Sequence, residues 1–227
     1  MAVAVVTGAG SGIGRASAVA LARRGLDVAL VGRTEATLRG VAKDVEASGV
    51  RAAVVPADVS REEDVRRAAA AIFLLGVPRV IVNNAGTAGR KARIEETSVS
   101  DWDGVLAVNL KGVFLVCRAF LPAMRDARTG RIVTIASISA TLGTAGLAGY
   151  CASKWGALGF TKSLAEELRG SGLQAMTVLP GTVDTPMAAV GGFPPRMTPD
   201  DVARLVVFTA LDAPDAMNGA SIECFGP

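Results

Sequence analysis

The chain has 227 residues, half of them hydrophobic, which suffices for one compact domain with a large core and is too apolar for a disordered chain. Its formal charge is only +3, its basic residues are scattered, and seven Phe, two Trp and one Tyr give few stacking platforms, which argues against nucleic-acid binding. Histidine is absent, and Cys117, Cys151 and Cys224 form no CxxC or finger spacing, so neither a metal site nor a disulfide framework is expected.

In chain order, buried strands are predicted at 2–7 (AVAVVT), 27–31 (DVALV), 51–56 (RAAVVP), 79–82 (RVIV), 131–136 (RIVTIA), 173–179 (LQAMTVL) and 220–225 (ASIECF). Amphipathic helical segments lie between them. Ser60 and Glu63 predict a capping box ahead of DVRRAAAAIFLL. Thr198, Pro199 and Asp201 predict an N-cap with a first-turn proline ahead of DVARLVVFTAL. This alternation implies an α/β fold, a Rossmann-like doubly wound parallel sheet of about seven strands with helices on both faces, in a single domain over residues 1–227. A closed eight-fold barrel would normally need more chain. The stretch TPMAAVGGFPPRM at 185–197 predicts a mobile loop instead of a packed element. The apolar run AAAAIFLLGV at 68–77 is too short to span a bilayer, and no basic leader with a cleavage site precedes AVAVVTG. A cytoplasmic protein without membrane contact is the expectation.

The first strand runs into TGAGSGIG at 7–14, which opens the first helix. Glycines there permit a sharp turn and a close approach to a pyrophosphate, which the helix N-terminus favours through free N–H groups and its dipole. The spacing is GxxxGxG, on Gly8, Gly12 and Gly14, and Ser11 and Ile13 complete the candidate cradle. A carboxylate that would bind an adenosine 2′-hydroxyl belongs at the end of the second strand. The strand reads VALVGRTE, so Gly32 takes that place and Arg33 follows, a guanidinium suited to a 2′-phosphate. NADP(H) is favoured on this reading and NAD(H) stays open, with a solvated Arg33 as the alternative.

GYCASKWG at 149–156 holds the one tyrosine of the chain, Tyr150, four residues before Lys154. At i, i+4 the two share a helix face. A phenol titrates near 10, and a neighbouring ammonium favours the phenolate, so Lys154 is expected to lower the Tyr150 pKa toward working pH. A tyrosine base then replaces the missing histidine.

With those residues, the chain resembles the short-chain dehydrogenase/reductase (SDR) family, compact single-domain type, over nearly its whole length. The resemblance is carried by TGAGSGIG (7–14), NNAG (83–86), Asn109 in VNL, Ser137 in IASIS, YCASK (150–154) and PGTVDT (180–185). It implies an oxidoreductase that interconverts a carbonyl and an alcohol with NAD(P). Tyr150 is then the acid/base, Ser137 binds the substrate oxygen, Lys154 also grips the nicotinamide ribose, and Asn109 positions a proton-relay water. Asp58 and Val59 are implied at the adenine, Asn84, Ala85 and Gly86 under the cofactor, and Pro180, Gly181, Val183 and Thr185 at its nicotinamide end. The family implies a homo-oligomer, tetramer or dimer.

Three readings compete: an NADPH-dependent ketone reductase or the reverse alcohol dehydrogenase, a non-catalytic NAD(P)-sensing protein on the same fold, and a sugar-nucleotide epimerase or dehydratase. The sensor would need neither Tyr150 nor Lys154, and the epimerase would need an extra substrate domain and a GxxGxxG turn. TLGTAGLAG (141–149) and MAAVGGF (187–193) predict a small apolar pocket without a charged anchor, for a neutral or acyl-chain substrate. A 3-oxoacyl thioester is one option, with Arg128 and Arg169 as a landing site for an acidic carrier.

Overall fold

The computed structural model describes residues 1–192 and 194–226. Its strands are β1 (Val3–Thr7), β2 (Asp27–Gly32), β3 (Ala52–Pro56), β4 (Pro78–Asn83), β5 (Gly130–Ile135), β6 (Leu173–Pro180) and β7 (Ser221–Cys224). All seven predicted runs are present, shifted by at most one residue at their ends. They form one parallel sheet in the order β3-β2-β1-β4-β5-β6-β7. The order reverses between β1 and β4, which opens a crevice at the C-terminal ends of those strands.

Both faces of the sheet are buried, and residue alternation divides the core. Val3 and Val5 of β1, with Ile81 and Ile132, pack under α3 (Glu62–Phe73), α5 (Gly112–Ala127) and α6 (Ala148–Glu167), against Ile72, Phe120 and Leu168. Ala4 and Val6, with Leu30 and Val82, pack under α1 (Gly12–Arg23), α2 (Glu35–Glu46) and α8 (Pro199–Val207), against Leu21, Leu38 and Val206. A sheet covered on both sides needs apolar residues at every strand position, which is why these strands read as continuous hydrophobic runs. Each fully buried Leu, Ile or Phe contributes about 1.5–3 kcal/mol relative to exposure.

α4 (Val99–Leu106) continues through a π-helical turn, Ala107–Lys111, into α5. Together they form one helical run, Val99–Ala127, long and apolar enough by length and composition to cross a bilayer, with mean hydropathy 1.7 in its most apolar window. Its inner face, including Val113, Val116 and Phe120, belongs to the core.

One local expectation needs correction. Ser60 caps nothing: its hydroxyl and N–H both bind Asp58 Oδ1, at 2.7 and 2.9 Å, and α3 starts after Arg61 with no side-chain cap. The nearer carboxylate outcompeted the helix end. The described residues of the 185–197 stretch carry some local structure. They include the single turn α7 (Ala188–Gly191), and Met197 is buried and bridges Val183.

Candidate active site

The crevice is a cavity of ≈ 910 Å³ at the C-terminal edge of the sheet. Gly8 has φ +64°, and a Cβ there would lie 2.8 Å from Ala85 Cα and 2.9 Å from Asn84 Nδ2. Only glycine permits that approach, and the gap is then closed by hydrogen bonds. Asn84 Nδ2 donates to Thr7 O (2.9 Å), while Thr7 Oγ1 accepts from the N–H groups of Asn84 and Ala85, both at 3.0 Å. Gly14 does not line the cavity. Its missing Cβ leaves room for Gly8 O, which an added Cβ would meet at 2.2 Å, so it serves close packing of α1 on the turn.

The N-terminus of α1 meets the cavity at Ser11, Gly12 and Ile13, and its first turn holds no acidic side chain. Free N–H groups and an uncompensated dipole end make this a site for an anion. Arg33 lines the same cavity, is exposed, and has no ion pair or hydrogen bond among the described residues. Gly10, Thr37 and Leu38 also line it and were not singled out from the sequence. Gly10 carries the signal, because a Cβ there would reach 2.5 Å from Thr37 Oγ1. Asp58, Val59, Asn84, Ala85, Gly86, Pro180, Gly181, Val183 and Thr185 also line the cavity. The Asp58 N–H is already taken by Asp64 Oδ2 at 3.0 Å, which holds the Asp64 carboxyl below its usual range. Volume, anion end and free guanidinium all fit a dinucleotide.

Ser137, Tyr150 and Lys154 come together at the far end of this cavity. Ser137 ends the β5 exit, where its Oγ accepts from Ser139 N–H (3.1 Å) and makes a long bond to Pro180 O (3.5 Å). Tyr150 and Lys154 project from the first turns of α6, with Lys154 Nζ 5.7 Å from the centre of the phenol ring. Lys154 is 5% exposed and donates to Ile135 O at 2.9 Å. Burial pushes its pKa down to about 8.

The Tyr150 phenol moves opposite to expectation. Burial raises its pKa above the ordinary value, and hydrogen bonding with Ser137 opposes this in part. The i, i+4 spacing supplies proximity but not charge stabilisation, because Lys154 is itself desolvated and aims its ammonium at a carbonyl. In this state the proton stays on the phenol.

Asn109 lies behind the wall, 1% exposed, in the π-helical turn, a kind of interruption that often marks functional sites. Its Nδ2 donates to Thr87 O (2.8 Å) and Ser153 Oγ (2.9 Å), and its Oδ1 accepts from Thr87 N–H (2.8 Å). Both amide protons are thus committed. Ser153 Oγ passes the link on to Tyr150 O at 2.7 Å.

The predicted substrate wall is incomplete in one respect. Thr144, Leu147, Met187 and Ala188 line the cavity from the two expected segments, but α4 adds Ser100 and Asp101, a carboxylate 3.8 Å from Arg90 Nε. Arg128 and Arg169 lie before β5 and β6, at the opposite edge of the sheet, and Arg169 is paired with Glu166.

The sequence profile described as short chain dehydrogenase matches residues 2–191. A D-threitol dehydrogenase of Mycolicibacterium smegmatis is 37% identical, covering 99% of this chain and 91% of its own. A (3R)-3-hydroxyacyl-CoA dehydrogenase of Canis lupus familiaris is 38% identical, covering 99% and 95%. The crystal structure of a 3-ketoacyl-(acyl-carrier-protein) reductase from Brucella melitensis, complexed with NADH, superposes with a TM-score of 0.92 at 29% identity, covering 99% and 97%. The chain therefore belongs to the short-chain dehydrogenase/reductase family, as an NAD(P)-dependent oxidoreductase acting on CH–OH and C=O groups.

Proposed function

We propose that this protein reduces a ketone to a secondary alcohol, or runs the reverse oxidation, with NADP(H) as favoured cofactor and Tyr150 as acid/base. The observation that carries the reading is one continuous cavity joining an anion-ready helix end to the half-buried Tyr150 with the buried Lys154 and Ser137. Gly8, Ser11, Gly12 and Ile13 hold the pyrophosphate, Arg33 the 2′-phosphate, and Asp58 and Val59 the adenine side. Asn84, Ala85 and Gly86 lie beneath, and Pro180, Gly181, Val183 and Thr185 hold the nicotinamide end, which supplies the hydride chemistry. A phenol kept protonated by burial suits the reductive direction, in which Tyr150 gives its proton to the carbonyl oxygen. Ser137 Oγ gives up its long bond to Pro180 O and donates to that oxygen, stabilising the developing negative charge. Lys154 holds the ribose hydroxyls and returns a proton to Tyr150. Asn109 acts through Thr87 and Ser153 to hold the loop after β4 against α6, and any relay water binds outside its committed amide protons.

The sensor alternative has no use for a buried lysine beside a phenol, since burial of the ammonium opposes folding without return. Relatives named for a polyol and for a hydroxyacyl thioester point to two classes of secondary alcohol. The thioester reading loses support from Arg128 and Arg169, which a single chain places away from its own cavity. A homo-oligomeric, cytoplasmic, single-domain enzyme completes the proposal; Phe114 and Trp155, on α5 and α6, are 43% and 53% exposed. The test is Tyr150→Phe. It should bind NADPH as the parent does and lose at least about two orders of magnitude in turnover. Near-normal turnover by Tyr150→Phe, or equal parental affinity for NADPH and NADH, would remove the acid/base role or the cofactor preference respectively.

A further inference from the structure

The cavity that holds Tyr150 is also lined by three hydroxyl-bearing residues that the chemistry above leaves idle. Ser139 stands in the 3-10 turn Ile138–Ala140 and is 9% exposed. Its N–H binds Ser137 Oγ, yet its own Oγ has no hydrogen-bond partner among the described residues. Thr144, half-buried in the approach to α6, uses only its backbone carbonyl, toward Leu147 N–H. Thr182, half-buried beyond β6, likewise uses only its carbonyl, toward the N–H groups of Arg196 and Met197. All three residues line the cavity, and each comes from a different segment.

Neighbouring hydroxyls behave differently. Thr87 Oγ1 accepts from Gly89 N–H, Thr141 Oγ1 donates to Ile138 O, and Thr185 Oγ1 donates to Val183 O. These stabilise their own turns, as threonines in loops commonly do. Ser139, Thr144 and Thr182 do not, and a shielded hydroxyl without a protein partner calls for one from a ligand or water. A hydroxyl both donates and accepts, and a neutral hydroxyl on the substrate matches it on both counts without bringing in a charge. An acyl chain would instead press methylenes against them and leave them unpaired.

We propose that the substrate is a small ketone with hydroxyl groups beside the carbonyl, or the matching vicinal diol, and that Ser139, Thr144 and Thr182 bind those hydroxyls. This rests on Tyr150 serving the carbonyl oxygen, as above. The experiment compares 1,3-dihydroxy-2-butanone, 2-butanone and 3-oxobutanoyl-CoA as substrates, with NADPH and with NADH. The parent protein should favour the dihydroxy ketone over both others by about tenfold or more in kcat/KM, the scale of a positioned hydrogen bond or two. Ser139→Ala, Thr144→Val and Thr182→Val should each lower kcat/KM for the dihydroxy ketone about tenfold more than for 2-butanone, mainly through KM. Turnover of 2-butanone or the thioester at rates equal to or above the dihydroxy ketone overturns the inference alone. So do variants that lower all three substrates equally. No turnover of any of the three with either cofactor overturns this inference together with the ketone-reductase reading beneath it.

Discussion

Lys154 sets stability against function within one side chain. Its ammonium titrates near 10.5 when exposed and at about 8 in the fold, a gap corresponding to about 3 kcal/mol. Below pH 8 both folded and unfolded chains carry the charge, and the folded state bears the whole cost of burying it. Between 8 and 10.5 the unfolded chain binds a proton that the folded chain does not, so this group makes stability rise with pH. Lys154→Met should therefore be more stable than the parent at pH 7, by up to about 2 kcal/mol after losing the bond to Ile135 O. Its advantage should shrink as pH climbs above 8. Urea midpoints at pH 7 and 9 measure this, and a variant weaker than the parent at pH 7 would show that the ammonium is well solvated in the fold. The position of Lys154 beside Tyr150 was legible from four-residue spacing, but the direction of the Tyr150 shift was not. Spacing reports which groups meet, whereas burial depends on what α4, β5 and the β6 exit bring over them. Ser139, Thr144 and Thr182 were illegible for a related reason, since loop hydroxyls look alike until their backbone partners are known.

Helix starts show the same gap at the level of elements. Thr198 and Asp201 form the expected reciprocal cap on α8: Thr198 Oγ1 accepts from Asp201 N–H, and Asp201 Oδ2 accepts from Thr198 N–H at 2.8 Å. Ser60 and Glu63 have the same spacing and form nothing of the kind, because Asp58 lies two residues upstream and takes the Ser60 donors. A signature for a cap is thus reliable only where no nearer acceptor competes. Thr198→Ala should cost about 1 kcal/mol and lower Tm by roughly 2–4 °C in a chain of this size. Calorimetry decides it, and an unchanged Tm would mean that burial of Val202 and Val206 alone holds α8 in place. The strands needed no such arbitration, because a sheet covered on both faces writes itself into the sequence as unbroken apolar runs.

At the scale of the molecule, the open question is how the cavity closes over its contents. The segment after β6 is tied at both ends: Arg196 and Met197 donate to Thr182 O, Asp184 donates to Met197 O, and Met197 is buried beside Val183. Among the described residues between these ties lies the single turn α7, which starts after Met187, 37% exposed, and places Ala188 in the cavity wall. Phe193, expected from the sequence to gain burial on closure, lies outside the described residues. A short arch on a fixed stem can swing without disturbing the core, and Met187 gains burial only by moving toward the cavity, which couples closure to occupancy. Backbone amides at 187–192 should therefore exchange fast in the free protein and slowly with cofactor and substrate bound. The amides of Asp184 and Met197, held by the stem, should be protected in both states and serve as the internal reference. Protection at 187–192 matching that of Met197 in the free protein would make the arch a fixed wall, and access to Tyr150 would then be set by the width of the cavity mouth alone.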